Sequence, residues 1–177
     1  MARRAREKSS TGIYNVMLRG EKLFTEEADY DAFIDRMAQY FMDDAKIYAY
    51  CLMENTACFI LKESKNGISK DMKPFVTSYA RYYNKAHGEN GKVFLDRFKS
   101  EPIETKEYLL KSMVVMHKLY ELLVCEAYTG DDDILNGNGL CADKEVIKLI
   151  GSKKKYIKAM EKDNTELTAF YNVLKKD

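Results

Sequence analysis

The 177 residues carry 29 Lys and Arg against 28 Asp and Glu, a net charge of +1, with 46% apolar and 32% charged residues. That length suits one domain, alone or with a short helical appendix, whose core needs no cross-links, and the near-zero charge excludes a partner recognised by bulk charge alone. No stretch approaches the ~18 apolar residues of a membrane span, no apolar run follows the basic start as in a secretory leader, and Cys51, Cys58, Cys125 and Cys141 form neither a CxxC pair nor a disulfide framework, so the chain is expected to be cytoplasmic.

Residues 1–10 form a basic, polar arm. Residues 12–20 (GIYNVMLRG) are rich in β-formers and bounded by glycines, the mark of a strand. Thr25 is placed to cap a helix whose apolar face is Tyr30, Phe33, Ile34, Met37 and Phe41. Residues 46–53 and 57–62 read as two strands, with Glu54-Asn55 as a hairpin turn and Asn66-Gly67 closing the pair. From Ser69 a second helix turns Met72, Phe75, Val76, Tyr79 and Tyr83 to one face and ends near Gly88. Residues 93–103 alternate as a strand would, with Pro102 near its end. Thr105 caps a third helix running to about Val124, residues 131–139 read as an acidic, glycine-containing loop, and 143–162 and 165–175 as two terminal helices. The order β-α-β-β-α-β-α followed by helices predicts an α+β fold, a ferredoxin-like split βαβ sheet with an added C-terminal helical segment. The expected division is a main domain over 1–125, an acidic and glycine-rich loop over 126–142 and a helical appendix over 143–177.

Charge is unevenly distributed. Residues 1–22 hold six basic residues (Arg3, Arg4, Arg6, Lys8, Arg19, Lys22) against Glu7 and Glu21, and residues 62–106 hold ten against six acidic ones. Arg81, Asn84 and Lys85 stand among tyrosines in TSYARYYNKAH, and Arg97 and Lys99 flank Phe98, on one face if that segment is a strand. Cations interleaved with aromatics suit phosphate contacts and base stacking; the same residues also suit a tyrosine-packed core under a solvated surface. The run Asp131-Asp132-Asp133 lacks the spaced ligands of a calcium loop. His87 at a helix end and His117 in mid-helix read as structural, and no Ser-His-Asp pattern, phosphate loop or nucleophile elbow occurs. No cofactor and no metal are expected.

MARRAREKSSTGIYNVMLRG, YAYCLMEN, SYARYYNKAHGENGKVFLDRFKSEPIE and EYLL, in that order over residues 1–118, resemble the small HUH-type tyrosine transposases of the REP-associated branch. ADKEVIKLIGSKKKYIKAM resembles the helical tail of some of them. The resemblance implies the HUH fold and a mechanism. A His-hydrophobe-His pair on a central strand holds a divalent metal that polarises a phosphate of single-stranded DNA. A helix tyrosine attacks to form a phosphotyrosine link. A polar residue one turn later completes the metal shell.

This sequence departs from that pattern at each chemical position. Where the family has LMPNHVHLL, residues 52–60 read LMENTACFI, so Thr56 and Cys58 replace the two histidines. Where it has EYLLEVIRYIHQNP, residues 107–120 read EYLLKSMVVMHKLY, so Val115 replaces the nucleophile and Leu119 the polar residue. Thr56 is a poor ligand and Cys58 a soft one unsuited to magnesium. Tyr108 and Tyr120 are the nearest substitute nucleophiles. The expected function is DNA binding, to a hairpin or single strand, without cleavage, through Arg3, Arg4, Arg6, Lys8, Arg19, Arg81, Asn84, Lys85, Arg97 and Lys99. The rival expectations are a protein-interaction module that regulates an active transposase or a host factor, and an active transposase with an atypical site. Either a monomer or a homodimer fits.

Overall fold

A computed structural model of the chain describes residues 6–41, 43–123, 125–137 and 139–162, without the side chains of Leu119, Tyr120 and Leu122. Arg3, Arg4 and the terminal helix expected over 165–175 lie outside these residues. The elements run β1 (Ile13–Arg19), α1 (Glu27–Phe41), β2 (Lys46–Met53), β3 (Thr56–Lys62), α2 (Ile68–His87), β4 (Lys99–Pro102), α3 (Lys106–Leu123), β5 (Tyr128–Thr129), α4 (Asp131–Asn136), α5 (Asp143–Ile150) and α6 (Lys153–Met160).

The strands form one antiparallel sheet in the order β4-β1-β3-β2-β5. β1 and β3 pair along their whole length, from Ile13 opposite Lys62 to Arg19 opposite Thr56. Each of α1 and α2 joins two strands that have a third between them, so both crossovers return to the same side. On that side Phe59 of β3 meets Phe41 of α1 and Phe75 of α2, and Phe33 packs edge-on against Phe75 at 5.0 Å. Period-two alternation sends Asn15 of β1 to the opposite face, where its amide donates to Ser112 of α3 at 3.3 Å. α3 covers β2 and β3 there, and α5 and α6 pack on α3. The architecture is α+β, and no described helix is long and apolar enough to cross a membrane.

Several expectations are corrected. Thr25 does not cap α1 with its side chain: its hydroxyl bonds the Tyr83 hydroxyl at 2.8 Å, while buried Asp29 reaches back to accept the Thr25 and Glu26 amides at 2.8 and 3.2 Å. The strand expected over 93–103 shrinks to Lys99–Pro102. Residues 93–98 are irregular instead, held by the Leu95 amide donating to the Arg19 carbonyl at 2.9 Å. Gly20 permits that approach, since a Cβ there would lie 2.6 Å from the Val93 carbonyl oxygen. The loop expected over 126–142 contains β5 and α4: Asp131, Asp132 and Asp133 fill the first turn of α4, where carboxylates complement the helix dipole, and Ile134 is buried. The helix expected over 143–162 is two helices, broken at Gly151 (φ 107°) and restarted by Ser152, whose side chain accepts from the Lys155 amide. Val146, Ile150 and Tyr156 of α5 and α6 belong to the main core.

Candidate functional site

The α3 side of the sheet holds the positions where the resemblance places chemistry. Thr56 and Cys58 share this face of β3, opposite Met53 and Cys51 of β2. Cys58 is fully buried, and burial pushes its thiol up to about 12. Thr56 is buried too and donates to the Asn55 side chain at 3.0 Å. Val115 is 1% exposed, but with Val114 it forms a separate buried cluster against which Tyr108, Leu110 and, from α6, Ala159 and Met160 pack. Leu109, Ser112, Met113 and Met116 are the α3 residues buried with the sheet. Ala57 faces the α1–α2 side by alternation with Cys58. The Leu119 and Tyr120 side chains lie outside the described residues. Tyr108 donates to Glu101 at 2.8 Å, and burial together with that carboxylate pushes its phenol well above the ordinary value. A phenol held in its neutral form is a weak nucleophile.

Each histidine has a structural partner. Buried His117 and the Tyr156 hydroxyl share a 2.6 Å hydrogen bond, and burial lowers the imidazole to about 4. His87 closes α2 before Gly88, which caps the helix in the left-handed conformation, and its Nε2 lies 2.9 Å from Asp29. That bond raises the His87 pKa. With Glu26 these two form the one described group of three side chains spaced to hold a metal, but Asp29 is already committed to the α1 amides and to His87.

The α2 side is different. Ile68, Met72, Phe75, Tyr79 and Tyr83 bury one stripe of α2, which leaves Lys73, Thr77, Arg81 and Lys85, four residues apart, on an exposed stripe. With Arg36 and Tyr40 of α1 they line a groove of about 700 Å³ that has four cations and no acidic residue. Arg36 donates to the Ala32 carbonyl at 2.7 Å and lies 4.6 Å over the Tyr82 ring. Its place in the groove depends on how the two helices pack, so spacing along the sequence gave no signal for it. Around the N-terminus of α2 a second groove, about 820 Å³, is lined by Arg6, Lys8, Lys65, Lys70 and Arg97 against Glu7 and Glu63. Between the two lies a smaller cavity that shares Lys73 with the first groove and Arg6, Ser69 and Arg97 with the second.

The expected DNA-contacting residues therefore divide. Arg6, Lys8, Arg81, Lys85 and Arg97 line these grooves. Lys99 does not join Arg97: it lies opposite Met17 in β4, two residues from Glu101 and on the α3 side, while Arg97 precedes the strand. Arg19 pairs with Asp96 at 3.6 Å. Asn84 donates to the Gly91 carbonyl at 3.1 Å, and its own carbonyl accepts from Gly88 and Glu89 at the end of α2.

No protein-family model matches the chain, and no curated protein matches it in sequence. Among solved structures it is similar to a REP-associated tyrosine transposase bound to a REP hairpin, with a TM-score of 0.55 and 10% identity over 70% of this chain and 74% of that one. A likeness at that identity is one of fold.

Proposed function

We propose that the protein is a nucleic-acid-binding derivative of the HUH transposase fold that binds a DNA hairpin or single strand and does not cut it. The strand order β4-β1-β3-β2 with its two crossovers supports the ferredoxin-like reading of the sheet, with β5 added at the edge. The structural neighbour was solved with a DNA hairpin bound. The observation that carries the proposal is the pair of grooves along α2, one lined by four cations and no acidic residue and the other by five cations against Glu7 and Glu63, which offer phosphates an excess of positive charge. The absence of cleavage rests on Thr56, Cys58 and Val115, which put a poor metal ligand, a soft one and an aliphatic side chain where the resemblance places the histidine pair and the tyrosine.

The test is binding of labelled hairpins, single strands and duplexes across a salt series, followed by incubation with magnesium or manganese. The expected result is salt-dependent binding with no covalent product. A covalent adduct that disappears in Tyr108→Phe or Tyr120→Phe would establish an active transposase with an atypical site. A second reading, a protein-interaction module, draws on Tyr128, 38% exposed on the β5 edge and stacked at 4.2 Å on Tyr30, with the acidic Glu27, Asp31 and Glu126 around it. Failure to bind any nucleic acid at low salt would favour that reading.

A further inference from the structure

Between the two cationic grooves, the smaller cavity measures about 250 Å³ and has a different chemistry. Leu18 of β1 and Val76 of α2 line it together with Phe94 and Phe98 from the irregular segment before β4. Lys73, Arg97 and Asp96 stand among the same lining residues, and Asp96 is paired with Arg19 at 3.6 Å. The walls are fixed before any ligand arrives. Arg6 lies 3.7 Å over the Phe98 ring and donates to the Phe98 carbonyl at 3.1 Å and to Ser69 at 3.4 Å. At the other end of the segment, the Leu95 amide is bonded to Arg19.

We propose that this cavity receives one unpaired nucleobase of a strand whose phosphates run along the two flanking grooves; the proposal rests on the nucleic-acid-binding reading and deepens it. The volume is below the ~300–1,000 Å³ of clefts that hold drug-sized ligands, a size for a single ring system. Aromatic and aliphatic walls accept the face of any base. The shared residues Lys73 and Arg97 place cations where a backbone would pass from one groove into the other. An apolar peptide side chain could enter an apolar cavity as well, but only a polyanion matches cations on both sides of it. The slot selects unpaired over paired segments and is tolerant of base identity, because stacking reads no hydrogen-bond pattern.

The experiment uses the full chain and a labelled hairpin with a short single-stranded extension, compared with the same hairpin carrying abasic sites in the extension and with a blunt hairpin. The wild-type protein should bind the intact extension ~5-fold or more tightly than the abasic one, the lower end for one stacked base. Val76→Phe, which fills the slot, should lose that preference while keeping the salt slope. Equal affinity of the wild-type protein for intact and abasic extensions, with salt-dependent binding retained, would overturn the slot and leave the nucleic-acid reading standing. No binding to any of the three DNAs at low salt would overturn both.

Discussion

The two sides of the sheet put their polar side chains to opposite use. On the α3 side, Cys58 and Val115 are sealed, Tyr108 is held neutral by burial and Glu101, and the Asn15 amide is spent on Ser112. On the α2 side, the aromatic residues fill the core while the alternate helical stripe presents cations to open grooves. The side where the resemblance places catalysis is packed as core, and the α2 side carries open grooves lined by cations. In the proposed reading, the absence of cleavage belongs to the first side and DNA binding to the second.

The largest test of that contrast is a charge placed on each side. Cys58→Asp places a carboxylate at a fully buried position opposite Met17 and Cys51 and should cost about 3–5 kcal/mol of stability. Lys73→Asp, on the exposed groove wall, should stay within ~0.5 kcal/mol. Urea unfolding measures both as midpoint shifts at constant m-value. A Cys58→Asp protein as stable as wild type would mean that the α3 side is wet, and the contrast would fail.

The two histidines sharpen it with opposite signs. His117, on the α3 side, has its folded pKa lowered to about 4 from an unfolded value near ~6.5, so its contribution is complete above ~6.5 and is lost as pH falls toward 4. The loss is on the order of 3 kcal/mol, and it should be absent in His117→Gln. His87, paired with Asp29, has its folded pKa raised, so its contribution is present below ~6.5 and is lost as pH rises through the folded value. His87→Gln should flatten that upper limb alone. Stability measured from pH 4 to 8 in the two variants checks both. A single limb missing from both variants would show that the histidines do not act separately.

Much of the scaffold was legible in the sequence because its elements carry local signals. Runs of β-formers between glycines and turn residues marked β1, β2 and β3, the 3.6-residue repeat marked α1 and α2 with their buried stripes, and Thr105 marked the start of α3. What was not legible depends on tertiary contacts. The alternation of Val93, Leu95 and Arg97 has the look of a strand, but Phe94, Asp96, Arg97 and Phe98 of that segment wall the cavity beside α2, and pairing with β1 begins only at Lys99. β5 is two residues long, too short for any period to show. Three consecutive aspartates looked like a loop until Asp133 was seen to accept the Cys141 amide at 3.1 Å, with Ile134 buried beside it. At the candidate site, Arg81 and Lys85 were read from the sequence, and Lys73, on the same stripe by helical spacing, was not. Nor was Arg36 opposite that stripe, because it comes from another helix.

The smallest effect is also the most discriminating, since it separates two cations that are two residues apart. Arg97 lines both the slot and the groove at the start of α2, whereas Lys99 is turned to the α3 side. If the strand runs along α2, Arg97→Ala should flatten the slope of log K against log salt by about 0.7 for a single strand or 0.9 for a duplex, the loss of one phosphate contact. Lys99→Ala should leave the slope unchanged, and the double variant should match Arg97→Ala alone. Thr56→Ala, buried on the α3 side, serves as the control with no expected change in binding. Equal flattening by Arg97→Ala and Lys99→Ala would mean that the strand wraps over the edge strand β4 onto the α3 side. Binding would then belong to both sides of the sheet, and the division between a sealed side and a binding side would no longer hold.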